Sequence, residues 1–341
     1  MVTMFVLEMF KTNFNKTFYL LAILIFLQPT DLLSKSNDSP DLDNFPKNKI
    51  SWNEWILKTK NDLKNKNYKD DTLNYLDNIK FNPKVIELDR KQPEFRLTFD
   101  KYFKNVVNTK SKKKINEQYN QNKTLLNKIE LKFNVSAKIL SALWGIETSF
   151  GKHTGKMDII RSLASLAYDG RRKEFFTKEL ENALNILESN HFERNSFKGS
   201  WAGAFGQTQF MPSTFLKHAI DFDGDSRVNL FKKPDALASG ANYLKKIGWN
   251  NNLQWGEEIN IQLTDSLRKL AKNKIYKDIS FWSGNGIKLN KEYGKSKLKL
   301  VIPDSNYNEC YLVSKNYDVI LNWNRSNYFA LTVFLFSDEI K

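Results

Sequence analysis

Apolar residues recur at helical spacing over most of the chain and alternate with polar ones only near its end. Trp52, Trp55, Ile56 and Leu63 fall on one helical face, which predicts a helix from Trp52 to about Leu76. Pro83 and Pro93 bracket VIELDRKQPEF (85–95), read as an irregular segment. Phe99 to Phe133 is helical again and passes through the basic cluster Lys110 to Lys114. Residues 136–150, 172–190, 213–220 and 235–247 carry the clearest later helical patterns. After Trp249 the runs KLKLVIP (297–303) and YDVILNW (317–323) suit small strands. No internal repeat is visible. The pattern predicts a mainly α chain with a small β element, an α+β class with little sheet.

The helix at 136–150 holds the residue with the most chemical promise. Ser136 is placed to cap its start and Gly151 to stop it. Ile139, Leu140, Leu143 and Ile146 form its apolar stripe, and Glu147 shares that face, four residues after Leu143. Burial there favours the neutral carboxyl. Trp144 and Phe150 flank it with low-polarity walls. A carboxyl that keeps its proton near neutral pH is what glycosidic cleavage asks of its proton donor. The competing reading is a helix-end Glu paired with a Lys or Arg.

The segment Gly199 to Phe215, GSWAGAFGQTQFMPSTF, shifts the balance. Gly203 and Gly206 permit a backbone that a ligand can approach closely. Ser200, Gln207 and Gln209 offer neutral donors and acceptors suited to sugar hydroxyls and acetamides. Ser213 is read as the cap of the next helix. Other chemistries have little support. Cys310, the single cysteine, has no disulfide partner, no Cys/His spacing suits zinc, and His153, His191 and His218 have no nucleophile elbow beside them.

WGIETSFG (144–151), RRKEFF (171–176), KGSWAGAFGQTQFMPST (198–214), DFDGDSRVNL (221–230), ANYLKKIGW (241–249) and VILNWNRSNYFAL (319–331) resemble, in order, the membrane-bound lytic murein transglycosylase B family. LDRKQPEF (88–95) resembles its upstream signature, and the likeness covers roughly residues 52–341. The resemblance implies a lysozyme-like helical catalytic core in which Glu147 acts first as acid and then as base. It implies that Ser200 and Gln209 orient the glutamate and the substrate, and that Tyr102, Tyr243 and Asn324 line the cleft. Core packing is the competing reading for both tyrosines. Trp323 stands where some members carry Tyr. Arg171 and Arg172 fall where the family meets peptide stems. They also open a helix, a poor place for cations, which points to an anionic partner against the bland reading of two solvated arginines.

Asp221, Asp223 and Asp225 alternate as at the start of an EF-hand loop, but Ser226 replaces the turn glycine and Lys232 stands where the closing glutamate should be. The resemblance implies a stretched cation site closed by Asp235, with Arg227 giving its backbone carbonyl. A structural calcium is the expectation there, against an exposed acidic turn. No cofactor is expected for catalysis.

Net charge is +15, which fits any anionic partner and decides little alone. Lys11 and Lys16 precede an apolar run, Phe18 to Leu27, short for a membrane span of about twenty residues and suited to a signal peptide. Residues 1–36 are therefore read as signal peptide or anchor, 37–50 as linker and 51–341 as catalytic region. Glu8 inside the positive region points to a start at Met4 or Met9, and no cysteine follows the run for lipid attachment. The expected location is periplasmic, with cleavage or retention as an anchor both compatible. The resemblance implies cleavage of the β-1,4 bond between N-acetylmuramic acid and N-acetylglucosamine in peptidoglycan, leaving 1,6-anhydromuramic ends. The rivals are a lysozyme-type hydrolase and a non-catalytic peptidoglycan-binding scaffold. Glycan strands are the expected partner, with a membrane face or the wall-synthesis machinery as a compatible further contact and no nucleic acid.

Overall fold

The computed structural model describes residues 50–90, 97–304 and 309–341. The expected export segment and nearly all of the linker lie outside them. The chain divides into two compact units. Of the described residues, one unit takes 50–90 and 147–239, the other 97–146, 240–304 and 309–341. The helices Ala137–Thr148 and Lys233–Lys246 each contain a point where the chain passes from one unit to the other. The mainly helical class with a small sheet is as expected.

The first unit is helical. Ser51 and Glu54 form a capping box for Trp52–Lys64, which buries Trp55 and Leu63. That helix is followed by short turns at Asp70–Leu73 and Asn74–Leu76, not by the single long helix expected. Residues read as irregular form the helix Pro83–Arg90. Proline at the first helical position starts a helix, because its missing N–H has no partner to lose there. Ile159–Asp169 is capped by the Asp158 side chain, ends on Gly170 at φ 85° and is buried almost throughout. It packs against Lys173–Glu188. Phe192, Phe197, Phe205, Phe215 and Phe231 form an aromatic cluster, with Phe197 and Phe205 edge to face at 5.0 Å. Strands Met157–Asp158 and Lys198–Gly199 pair antiparallel.

The second unit breaks Phe99–Phe133 into three helices, Phe99–Val106, Thr109–Gln121 and Lys123–Phe133. Asn108 caps the second through a capping box, and Asn134 closes the third at φ 53°. Its sheet has four antiparallel strands in the order Gly256–Ile259, Cys310–Val313, Leu298–Val301, Tyr276–Lys277. Leu298, Leu300, Cys310 and Leu312 bury one face with Trp282. KLKLVIP thus contains the expected strand, whereas YDVILNW lies in the helix Lys315–Trp323. Ser314 caps that helix, Asp318 sits in its first turn, and Tyr317 and Ile320 are buried three residues apart. Trp255 stacks on Phe334 of the buried helix Asn327–Asp338 at 5.0 Å. Among the described residues no helix is long and apolar enough to cross a membrane.

Candidate active site

Glu147 lies one residue before the end of Ala137–Thr148 and is 8% exposed, beside the fully buried Trp144. Ser136 Oγ accepts from the Ile139 N–H at 3.5 Å, in keeping with its capping role. The helix then ends abruptly. Ser149, Phe150 and Gly151 follow at φ 52°, 64° and 80°, three consecutive left-handed residues, two of them not glycine. Such conformations cost about 1–2 kcal/mol for each non-glycine residue and persist only where neighbours enforce them.

Thr148 supplies that enforcement. Its hydroxyl, 1% exposed, donates to the Gln207 carbonyl at 2.8 Å and accepts from the Gly151 N–H at 2.9 Å. Gln207 is fixed in turn, its N–H donating to the Leu230 carbonyl at 2.8 Å and its side-chain amide to the Phe231 carbonyl at 2.6 Å. Gln209 donates to the carbonyls of Thr154 at 3.2 Å and Gly206 at 2.9 Å. Ser200 Oγ accepts from the Ala204 N–H at 3.0 Å, tying the Gly-rich segment to itself. Gly155 at φ 92° runs so close to Gly199 that a Cβ would lie 2.1 Å from the Gly199 carbonyl carbon. The stretch leaving Glu147 is therefore joined along 148–158 to 198–209. Within that segment Trp201 Nε1 and Thr208 Oγ1 are buried with no hydrogen-bond partner among the described residues. Thr148 was not singled out from sequence; its place beside Glu147 was the available signal.

Buried carboxylates elsewhere in this unit have partners within the fold. Asp89 is held by Arg171 at 3.0 Å and by Arg172, and Asp169 by Arg90 at 2.9 Å. Glu181 pairs with Lys66 at 2.6 Å. Glu179 accepts from the Ser213 N–H at 2.9 Å and hydroxyl at 2.6 Å. Burial pushes the Asp169 and Glu179 carboxyls above their ordinary range. Ser213 is thus not the helix cap: Pro212 opens the helix, and Glu179 takes over the N–H that a cap would satisfy. Arg171 and Arg172 have their anion within the fold, in Asp89 of the LDRKQPEF motif, and Arg171 keeps 41% of its side chain exposed.

The acidic loop brings Asp221, Asp223 and Asp235 together, with a carboxylate oxygen of each within 4.8 Å of the others. Asp235 is fully buried and accepts from the N–H groups of Phe222 at 2.8 Å and Asn229 at 2.7 Å. Burial raises its carboxyl nonetheless. Asp225 is outside the cluster, paired with Lys232, and the Lys232 hydrogen bond lowers its carboxyl. Arg227 donates its backbone N–H to Asp225 at 3.0 Å. Three hard carboxylates, two on the loop and Asp235 in the first turn of Lys233–Lys246, suit an oxygen-seeking divalent cation.

Three expected cleft residues belong to the other unit. Tyr102 is 2% exposed and edge-on to Tyr328 at 5.6 Å. Tyr243 is half-buried, tilted against Trp323 at 5.4 Å, and donates to the Asn322 carbonyl at 3.1 Å. Asn324 is 1% exposed; its oxygen accepts from the Ser326 N–H at 3.0 Å, while its Nδ2 has no partner among the described residues.

Residues 51–338 match the family model described as a transglycosylase SLT domain. The membrane-bound lytic murein transglycosylase B of Escherichia coli is 39% identical over 132 residues, a stretch spanning 38% of this chain and 37% of that protein. Pseudomonas aeruginosa SltB3, solved in complex with NAG-NAM-pentapeptide and with NAG-anhNAM-pentapeptide, superposes with a TM-score of 0.80 at 34% identity, over 84% of this chain and 79% of that one. The lytic transglycosylase Slt35 of E. coli, solved in complex with calcium, gives a TM-score of 0.71 at 27% identity over 84% and 92% of the two chains. The lysozyme-like fold expected from the motifs is the fold of these proteins.

Proposed function

The chain belongs to the transglycosylase SLT domain family, and from that membership we propose that it is a lytic transglycosylase cutting the β-1,4 bond between N-acetylmuramic acid and N-acetylglucosamine in peptidoglycan. The observation that carries this reading is Glu147: a buried carboxyl at a helix end, held by Thr148 against a Gly/Gln-rich segment.

Glu147 gives its proton to the glycosidic oxygen as the bond breaks. The developing positive charge at the anomeric carbon is met by the sugar's own acetamide, so no second protein carboxylate is needed across the bond. Glu147, now a carboxylate, removes the proton from the C6 hydroxyl of the same sugar. That oxygen closes the 1,6-anhydro ring, and the glutamate ends protonated and ready for the next strand. Ser200 and Gln209 orient the reacting groups, and the Asn324 Nδ2 donor, lacking a partner within the described residues, suits a substrate carbonyl. Tyr102 and Tyr243 support the substrate-binding surface of their own unit. The exposed part of Arg171, beside Arg172, meets stem carboxylates. Asp221, Asp223 and Asp235, with the Arg227 carbonyl, would hold a structural calcium, and Asp225, now paired with Lys232, would be a further ligand to it. Residues 1–36 direct the chain to the periplasm.

Glu147→Gln keeps the shape and loses the proton. Turnover of murein should fall by about 10²–10⁴-fold or more with the fold retained. Near-normal release of muropeptides by a folded Glu147→Gln protein overturns the assignment.

A further inference from the structure

The small sheet of the second unit carries a basic pocket that the proposed chemistry at Glu147 does not use. It has a volume of about 500 Å³ and lies against the strand Leu298–Val301, the helix Asp265–Lys272 and the start of Asn327–Asp338. That volume is within the usual range for small-ligand sites. Its lining includes four cations, Arg268, Lys272, Lys274 and Lys299, and no carboxylate. Val301, Ile302, Pro303 and Leu321 supply apolar wall.

Lys299 gives the pocket its floor. It is 3% exposed, on the strand face opposite Leu298 and Leu300. Its ammonium pairs with Asp318 and lies 5.1 Å and 5.2 Å from the ring centres of Tyr276 and Tyr317. Asp318 also accepts from the Tyr276 hydroxyl at 2.6 Å, so one carboxylate serves two donors. Burial, with the charges of Lys274 and Lys315 nearby, works against this ammonium. All four positions of this strand are buried, and a lysine occupies one of them.

The rim adds charge without compensation. Arg268, Lys272 and Lys274 make no ion pair with any described residue. Arg268 and Lys272 stand four apart on one helix, where like charges repel. The helix C-terminus accounts for Lys272 by its dipole. It does not account for Lys299 or for Lys274, which is held at φ 54°. Cations gathered around an apolar-walled cavity are the arrangement that captures carboxylates on a short peptide.

The geometry points to a second binding site, for the carboxylate-bearing peptide stem of peptidoglycan, on the sheet of this unit; the inference rests on the glycan-strand reading proposed above. Such a site would grip a strand through its peptide, independently of the bond being cut.

Calorimetric titration of the full chain with synthetic L-Ala-γ-D-Glu-meso-diaminopimelate tests it without any sugar. We expect saturable binding that weakens with salt, drops at least tenfold in Lys272→Glu/Lys274→Glu, and returns in Lys272→Arg/Lys274→Arg. Both positions are exposed, so melting temperatures should stay level. Unchanged binding by the Glu pair, equal binding of the fully amidated tripeptide, or tighter binding of inorganic phosphate than of the tripeptide each overturns the proposal. Murein cleavage by the same variants is measured in parallel. Loss of tripeptide binding with intact cleavage, or the converse, separates this site from the Glu147 reading.

Discussion

Replacing Thr148 by Val tests whether the helix end that presents Glu147 is held by one hydroxyl. Valine keeps the shape and removes one donor and one acceptor. The carbonyl of the buried Gln207, a residue 6% exposed, loses a 2.8 Å bond, and a buried group stripped of such a partner costs about 1–3 kcal/mol. The Gly151 N–H loses its 2.9 Å acceptor, but Gly151 is only half-buried and water replaces part of the loss, adding about 1 kcal/mol at most. The sum is about 1–4 kcal/mol, read as a lower denaturant midpoint at pH 7. The left-handed run Ser149–Gly151 then has less to hold it, and Glu147 one residue earlier shifts with the helix end. A misplacement of about 1 Å at a reacting group is worth about 10²-fold in rate. Muropeptide release well below the melting transition should fall by that order, and Thr148→Ser, which keeps the hydroxyl, should recover most of both losses. Stability within about 0.5 kcal/mol of the parent together with an unchanged rate would mean that the Thr148 hydroxyl does not hold the helix end.

Calcium should raise the melting temperature by mass action, by about 2.7 kcal/mol of stability at a hundredfold excess over Kd, and Asp223→Ala should abolish the effect. Lys232→Met should enlarge it, because the ammonium now holding Asp225 no longer competes; an equal response in parent and Lys232→Met would count against that competition. Glu179→Gln removes a buried charge and keeps a partner for Ser213. The folded-state pKa of Glu179 is raised by burial, so the folded protein holds a proton that the unfolded chain has lost. Stability from this group is therefore full below the ordinary glutamate range and is lost as pH rises through the folded-state value. The stability of Glu179→Gln minus that of the parent should climb across this window and then level off, and parallel profiles would contradict the assignment.

The elements legible in the sequence are those whose pattern is local. The Glu147 helix has its apolar stripe and Ser136, and KLKLVIP has its alternation ending at Pro303. YDVILNW carries the same strand-favouring residues, but Ser314 and Asp318 make it a helix, and these cap signals outweigh β propensity. Pro83 was read as a break when it is a start. The motifs name candidate site residues but do not reveal their partners within the fold. Asp89 as the anion for Arg171 and Arg172 is a contact across 82 and 83 positions, and Glu179 capping the helix of Ser213 spans 34. No local pattern encodes which carboxylate answers which donor at such separations. Lys299 was hidden for a related reason: a lysine in an alternating strand reads as a solvent-facing residue, and only the helix Lys315–Trp323, with Asp318, makes its face an interior one.

In the proposed reaction Glu147 works without a water-activating partner, and the product records this. Mass spectrometry of muropeptides released from purified sacculi, before and after borohydride treatment, reads it directly. The intramolecular C6 hydroxyl has the advantage of proximity over bulk water. The muramic ends should be one water lighter than hydrolysis products and unchanged by borohydride. A majority of reducing ends that take up hydride would contradict it and make the protein a hydrolase with a water-activating group elsewhere.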